Sequence, residues 1–139
     1  MQTVRPSPLL KTALAADALA CGISAIGQLV LARQMSNLLS LPHNLLVNTG
    51  VFLVFYAGLL ALMARSERVP SALIVLVVIG NIAWAAGCVG LLASGDVSST
   101  LGVPFMIAQI LAVVAFAALE FAGLRRSQPA PFLRAATPR

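Results

Sequence analysis

Residues 71–93, SALIVLVVIGNIAWAAGCVGLLA, form an apolar run without a single charged side chain. As a helix rising about 1.5 Å per residue, this run would reach about 35 Å, which is enough to cross the hydrocarbon core of a bilayer. Stretches 12–32, 44–64 and 102–124 have similar length and composition. The whole chain is 60% apolar and only 9% charged, unlike a soluble domain. The sequence therefore predicts an all-α, polytopic membrane protein.

The expected architecture is an antiparallel bundle of four transmembrane helices in one domain, residues 1–126. The segments that alternate in polarity along a membrane β-barrel are not seen in the sequence. The predicted helices cover about 10–33, 43–64, 70–93 and 101–125. The proline-containing segments 1–8 and 127–139 are predicted to be disordered, the second as a cytoplasmic tail. The short connection 65–70 predicts that the second and third helices are antiparallel neighbours.

The two halves of the chain share a pattern. Leu39-Ser-Leu-Pro42 precedes the second helix and Leu101-Gly-Val-Pro104 opens the fourth. The helix after each proline closes with Arg65-Ser66 or Arg126-Ser127, and aligning these closing ends places Asn48 opposite Gln109. This alignment favours a parallel repeat of two helical hairpins about an axis along the membrane normal. The alternative is that any two apolar hairpins share prolines and terminal arginines.

The charge distribution predicts the orientation in the membrane. The net charge is +5, and Arg33 is the one basic residue on its side of the predicted bundle. The other basic residues are Arg5, Lys11, Arg65, Arg68, Arg125, Arg126, Arg134 and Arg139. Basic residues concentrate on the cytoplasmic side of membrane proteins, so both termini are predicted to be cytoplasmic. Because these residues sit at helix ends and not on one patch, no nucleic-acid partner is expected.

Reporter fusions at residues 5, 37, 67, 97 and 130 test this topology. We expect cytoplasmic signals at 5, 67 and 130 and periplasmic signals at 37 and 97, because the charge asymmetry fixes the direction of insertion. A periplasmic signal at 130 would refute the predicted orientation.

Polar side chains inside the spans mark a shared interior, because each needs a partner or a water-filled cavity. In the first helix they recur every three or four residues, which places them on one face. In the fourth helix two polar residues eleven positions apart also share a face. The candidates for a polar interior or ligand site are Asp17, Ser24, Gln28, Asn48, Tyr56, Asn81, Trp84, Gln109 and Glu120.

These candidates separate by depth into two layers with different chemistry. The outer amides, Gln28, Asn48 and Gln109, predict either a ligand site or a set of interhelical hydrogen bonds. Asp17 and Glu120 lie nearer the cytoplasmic end. They are expected to share a proton or hold a cation if their helices meet. The alternative is that Lys11, Arg125 or Arg126 reaches them by snorkelling.

The third helix also carries a face of small residues, Gly80, Ala83, Gly87 and Gly90. Such a face permits close approach of two helix backbones in a membrane. We therefore predict that Gly87 packs against a neighbouring helix.

No motif for catalysis, metal binding or a cofactor is found in the sequence. His43 is isolated, Cys21 and Cys88 lie inside predicted spans, and no nucleophile has an adjacent base. The sequence predicts a protein that is not an enzyme, with no metal site and no cofactor.

Several motifs resemble those of a known group of proteins. They are Leu39-x-Leu-Pro42, Asn81-x-x-Trp84, and Gly102-Val-Pro-Phe-x-x-Ala-Gln109 followed by Glu120. The chain is similar in these motifs to a group of small, uncharacterised four-span bacterial inner-membrane proteins. The resemblance covers most of residues 12–126 and implies the fold and a bacterial inner-membrane location, but no activity.

Two functional hypotheses follow. The first is a non-enzymatic membrane protein that binds a lipid-like or small apolar ligand, or associates with a partner membrane protein or with further copies of itself. The alternative is a small oligomeric transporter coupled to protons through Asp17 or Glu120.

Overall fold

The hydrophobic stretches fold into helices that expose many large apolar side chains. A computed structural model of the protein describes residues 2–97 and 99–130. The elements in this part of the chain are β1 (Thr3–Arg5), α1 (Pro8–Val30), α2 (Ala32–Leu39), α3 (His43–Arg65), β2 (Val69–Pro70), α4 (Ser71–Ala93), α5 (Gly102–Arg125) and β3 (Gln128–Pro129). The long helices α1, α3, α4 and α5 each have 23 or 24 residues and mean hydropathies between 1.6 and 2.4.

The burial pattern is the reverse of that in a water-soluble protein. Phe55 and Val30 expose 75% and 70% of their surface, whereas Asp17 and Glu120 expose 1% and 0%. Apolar side chains on the outside and polar ones on the inside are stable in hydrocarbon. The four-span prediction is confirmed, and the protein is a multi-pass membrane protein.

The bundle has two distinct ends. Its terminal end carries residues 2–7, the connection 66–70 and residues 126–130, and its loop end carries residues 31–42 and 94–101. At the terminal end, the Ser7 side chain accepts a hydrogen bond from the Leu10 N–H at 3.2 Å and caps α1. The same hydroxyl donates to the Gly123 carbonyl at 2.8 Å, so the cap also ties α1 to α5.

The loop end contains a helix that was predicted as a loop. α1 ends at Val30, three residues before the predicted end, and α2 follows the break at Leu31. Ser40, in the left-handed conformation, ends α2, and the Ser36 hydroxyl donates to the Leu41 carbonyl at 2.6 Å. α2 buries Ala32 and Leu39 and exposes Arg33, Gln34 and Asn37, which is typical of a helix lying at a membrane surface.

The long helices pack in the order α3, α1, α5, α4. The prediction that α3 and α4 are antiparallel neighbours is therefore met only in part, although only residues 66–70 connect them. They meet near the terminal end, where Leu60, Ile74 and Val77 share one apolar cluster. Towards the loop end they diverge, because the central α1–α5 pair lies between the two outer helices.

The packing order of the helices can be compared with the contacts that the predicted repeat of two hairpins requires. The hairpins α1–α3 and α4–α5 are both tightly packed. Under the repeat, α1 corresponds to α4 and α3 to α5, so the α1–α5 interface should have a counterpart between α4 and α3. This expected interface between α4 and α3 is missing over the loop-end half of the two helices, where they are separated by open space.

A small sheet, which we call the terminal clasp, covers the terminal end. β1 lies between β2 and β3, and Val4 pairs with both Val69 and Pro129. The Ser7 N–H donates to the Ser127 hydroxyl at 3.0 Å, which continues the connection between the two ends of the chain.

The clasp corrects the prediction of disorder for residues 2–8 and 127–130. Of the prolines that suggested disorder, Pro129 lies in the edge strand β3, which places little demand on a backbone N–H, and Pro8 begins α1. The rest of the predicted tail, residues 131–139, lies outside the described part of the chain.

Close helix approach occurs at glycines other than the predicted ones. A Cβ atom on Gly123 would lie 2.7 Å from the Leu10 Cα, and one on Gly50 would lie 2.9 Å from the Leu29 side chain. A Cβ atom on Gly87 or Gly90 would have nothing within 4 Å. The prediction that Gly87 packs against a neighbouring helix is wrong, because Gly80, Ala83 and Gly87 border the open space between α3 and α4.

Candidate functional site

Three polar residues from three helices meet inside the bundle. The Asn81 amide nitrogen donates to Asp17 Oδ2 at 3.0 Å and to Glu120 Oε2 at 3.2 Å. All three side chains are buried. We call these residues the acid–amide cluster. It joins α1, α4 and α5, although the sequence had placed Asp17 and Glu120 in a separate layer from Asn81.

The cluster has more acceptor atoms than donors. Because both carboxyl groups contact one nitrogen atom, they lie within about 6 Å of one another. The Cys21 thiol donates to Asp17 Oδ1 at 3.3 Å, while Glu120 Oε1 is buried without a hydrogen-bond partner in the described residues. The predicted meeting of the two acids is thus found, with Asn81 as their common donor.

The alternative pairing with basic residues is not found in the described structure. The hydrogen bonds of Asp17 and Glu120 go to Asn81 and Cys21. The Arg125 guanidinium instead lies over the Phe121 ring, 5.9 Å from its centroid. Within residues 2–97 and 99–130, no lysine or arginine pairs with the acidic groups of the cluster.

An inner cavity of about 250 Å³ begins at this cluster. Asp17 and Asn81 form part of its wall, together with Cys21, Ser24 and Gln109. The aromatic side chains on its wall are Phe52, Tyr56, Trp84, Phe105 and Phe116. The cavity therefore combines five aromatic side chains on its wall with the buried Asp17 carboxyl group at one side.

A larger groove of about 560 Å³ lies between the loop-end halves of α3 and α4. Its α3 side includes Leu45 and Leu46, and its α4 side includes Ala83 and Gly87. Its polar lining consists mainly of Gln28, Thr49 and Gln109. The groove is thus an apolar channel with a few hydrogen-bonding groups, positioned where α3 and α4 diverge.

The inner cavity and the groove share a boundary. Phe52, Gly80, Trp84, Phe105 and Gln109 line both. The Phe52 and Trp84 rings stack across the space between α3 and α4, with centroids 6.3 Å apart and planes inclined by 13°. The two spaces therefore form one site, which runs from the groove past this aromatic pair to Asp17.

The structure brings most of the predicted site residues together. Gln28 is buried and accepts a hydrogen bond from the Thr49 hydroxyl at 2.6 Å. Ser24, Tyr56, Trp84 and Gln109 are half-buried and line the site. The Tyr56 hydroxyl also donates to the Val77 carbonyl at 3.4 Å.

Asn48 was wrongly assigned to the interior. Its side chain is exposed, and the neighbouring Thr49 occupies the interior position beside Gln28. The buried α3 residues Leu46, Gly50 and Leu53 recur at helical spacing, and Thr49 borders that face. Because both faces of α3 are apolar, the sequence alone carries no signal that identifies Thr49.

The phenylalanines of the site were also missed. Phe52, Phe105 and Phe116 are apolar in an apolar chain, so their composition does not distinguish a cavity wall from a lipid-facing surface. In the described part of the chain, no group of three or more His, Cys, Asp and Glu residues is arranged to hold a metal ion.

Comparisons with protein families, with curated proteins and with solved structures give no match for this chain. The functional argument therefore depends on the geometry of the site.

Proposed function

We propose that the protein binds a lipid-like amphiphile whose alkyl chain lies in the groove between α3 and α4 and whose polar end reaches the inner cavity. The observation that carries this proposal is the continuity of the two spaces past Phe52 and Trp84. The groove has the volume of a small-molecule site, which typically lies at ~300–1,000 Å³. The shape and the polarity both change along the site, as they do along an amphiphile.

The polar groups should determine which molecule binds. Moving an alkyl chain from bulk lipid into an apolar groove gains little, because both surroundings are apolar. Hydrogen bonds with Gln28, Thr49 or Gln109, and contacts with the acid–amide cluster, are not available in bulk lipid. Selectivity therefore depends on the end of the ligand that reaches these residues.

A helix of a partner membrane protein is a less suitable occupant. A helix with its side chains is about 10 Å across, so it could lie along the groove but could not pass the Phe52–Trp84 pair. An alkyl chain or a small headgroup is narrow enough to occupy both spaces. The inner cavity therefore favours an amphiphile over a partner protein.

The transporter alternative, coupled to protons through Asp17 or Glu120, stays a prediction. Transport would require the ligand to leave on the terminal side. The terminal clasp lies across that end, where Leu10 and the β2 residue Val69 are fully buried. Binding from the membrane or from the loop end requires no such opening.

The proposed setting is a bacterial inner membrane, with the terminal end in the cytoplasm. The distribution of basic residues supports this orientation. In this orientation the groove lies in the outer leaflet, between the diverging halves of α3 and α4. The ligand would therefore enter sideways from that leaflet.

Fluorescence of Trp84 tests the proposal directly, because it is the only tryptophan in the sequence. In nanodiscs of unlabelled lipid, a brominated alkyl amphiphile added at low mole fraction should quench Trp84 saturably. Gly87→Phe should abolish the saturable part, because the ring would fill the groove that Gly87 lines. Gly90→Phe is the matched control, since Gly90 is equally open on the same helix and does not line the groove.

The two glycine variants separate binding from general contact with lipid. Quenching that rises linearly with probe concentration and is the same in both variants would show only collisions in the bilayer. That result would overturn the proposed function.

A further inference from the structure

Building on the proposed function, we infer that the site selects a cationic amphiphile, whose positively charged amine headgroup occupies the inner cavity beside Asp17 and against the aromatic wall. The inference specifies the chemical class of the ligand. It rests on three features: the donor deficit of the acid–amide cluster, the aromatic composition of the wall, and the size of the cavity.

The acid–amide cluster lacks positive charge. Two carboxyl groups share one Asn81 nitrogen, and Glu120 Oε1 is fully buried without a donor in the described residues. A buried carboxylate is stable only when it is paired and hydrogen-bonded, or when it holds a proton. Asp17 forms part of the cavity wall, so a cation in the cavity could supply the missing charge.

The wall of the inner cavity is suited to an organic cation. The faces of aromatic rings carry partial negative charge, and tryptophan attracts cations more strongly than tyrosine or phenylalanine. Trp84 and Tyr56 both line the cavity, together with three phenylalanines. An alkylammonium group buries its carbon atoms against such rings and still gains from their electrostatic attraction. An inorganic cation would lose most of its hydration there and find few oxygen ligands.

The cavity volume indicates which part of the ligand it holds. About 250 Å³ is below the usual ~300–1,000 Å³ range of sites that enclose a whole drug-sized ligand. A headgroup would fit the cavity, while the attached chain continues past Phe52 and Trp84 into the groove. An anionic headgroup would be repelled by a carboxylate in the cluster, and a neutral headgroup would form no ion pair with it.

A matched series of amphiphiles tests the inference. Three compounds with the same alkyl chain carry a trimethylammonium, a hydroxyl or a sulfate group, and each competes with a neutral brominated probe that quenches Trp84 in nanodiscs of zwitterionic lipid. Affinities are expressed as mole fractions in the lipid, so differences in partitioning cancel. We expect the ammonium compound to compete at least about tenfold better than the hydroxyl compound, as one cation–π contact and one ion pair allow. The sulfate compound should compete least.

Three variants locate the preference within the cavity. Asp17→Asn and Glu120→Gln should each bring the ratio of the ammonium compound's affinity to the hydroxyl compound's affinity close to one. Each substitution replaces an acidic group by a neutral amide of similar shape. Phe116→Leu should lower the ratio by removing an aromatic ring from a wall that the groove does not share. Asp96→Asn is the control for general attraction, since Asp96 is an exposed acid at the loop end, and the ratio should stay at its wild-type value.

The outcomes separate this inference from the proposed function. If none of the three compounds displaces the probe from the wild-type protein, the proposed function fails. If the hydroxyl and ammonium compounds displace it equally well, or if the ratio is unchanged in the acid and Phe116 variants, the cation inference fails while amphiphile binding stands.

Discussion

Replacing Asn81 with leucine is expected to destabilise the folded protein by about 3–5 kcal/mol, the cost of breaking a buried polar network by removing one partner. Asn81 is the donor to both Asp17 and Glu120, at 3.0 and 3.2 Å. Leucine has a similar volume and no donor, so both carboxyl groups would stay buried and lose their common hydrogen bond. Unfolding in detergent or mixed micelles, followed by circular dichroism, measures the change.

Asn48→Leu provides the matched control for this experiment. The residue type and the substitution are the same, but Asn48 is exposed on α3. In a lipid-like environment the control should be neutral or slightly stabilising. The triple variant Asp17→Leu, Asn81→Leu, Glu120→Leu should recover much of the lost stability. Replacing a whole buried polar network by apolar residues is often tolerated. Equal effects of Asn81→Leu and Asn48→Leu would contradict a structural role for the cluster.

Gly123→Ala is expected to lower the free energy of unfolding by about 2–3 kcal/mol, because it overpacks an interface between two helix backbones. This is a large effect for one methyl group. The added Cβ would lie 2.7 Å from the Leu10 Cα and 2.8 Å from the Leu10 nitrogen. These atoms belong to the first turns of α1 and cannot rotate away, so the helices would have to separate. The separation would also weaken the hydrogen bond from the Ser7 hydroxyl to the Gly123 carbonyl.

Gly90→Ala is the control for glycine replacement in a helix. A Cβ on Gly90 meets nothing within 4 Å, and alanine favours the helix by up to about 1 kcal/mol relative to glycine. The two variants should therefore change the melting temperature in opposite directions. If Gly123→Ala also stabilises the protein, the close approach of α1 and α5 is refuted.

The spans themselves were predictable, because length and hydropathy alone determine which segments cross a bilayer. The bounds of α4 were nearly those expected, while α1 stops at Val30 and α2 follows it. The polar pattern of α2 shows no long apolar run, so a search for spans assigns it to a loop. A short helix at the membrane surface can be recognised in the sequence only from the helical periodicity of its own polar and apolar residues.

The rotation of each helix about its axis was harder to predict. In a soluble protein, a polar residue marks the outer face, but in this bundle both faces of α3 are apolar. One polar residue, Asn48, was therefore taken to define the interior, whereas Thr49 one position away does so. In α1 and α5, ionisable Asp17 and Glu120 defined the interior correctly, because exposing a carboxyl group to lipid costs far more than exposing an amide.

The order of the helices could not be deduced from the chain. A short connection between α3 and α4 predicted neighbours, but the approach of Gly123 to Leu10 and of Gly50 to Leu29 determines which backbones pack closely. These glycines are not distinguished in the sequence from Gly87 or Gly90. The groove follows from that packing order, so neither its existence nor its phenylalanine walls could be inferred in advance.

The terminal clasp also has a consequence for biogenesis. β1 is translated at the start of the chain, yet one of its two partners, β3, is translated only after α5. The sheet cannot be completed until the ribosome has synthesised the last transmembrane segment and that segment has been inserted. Pairing between segments so distant in sequence is slow compared with local helix formation. Closure of the clasp would thus be a late step of assembly, and a nascent chain interrupted within α5 would leave the β3 edge of β1 unpaired and available to quality-control proteases.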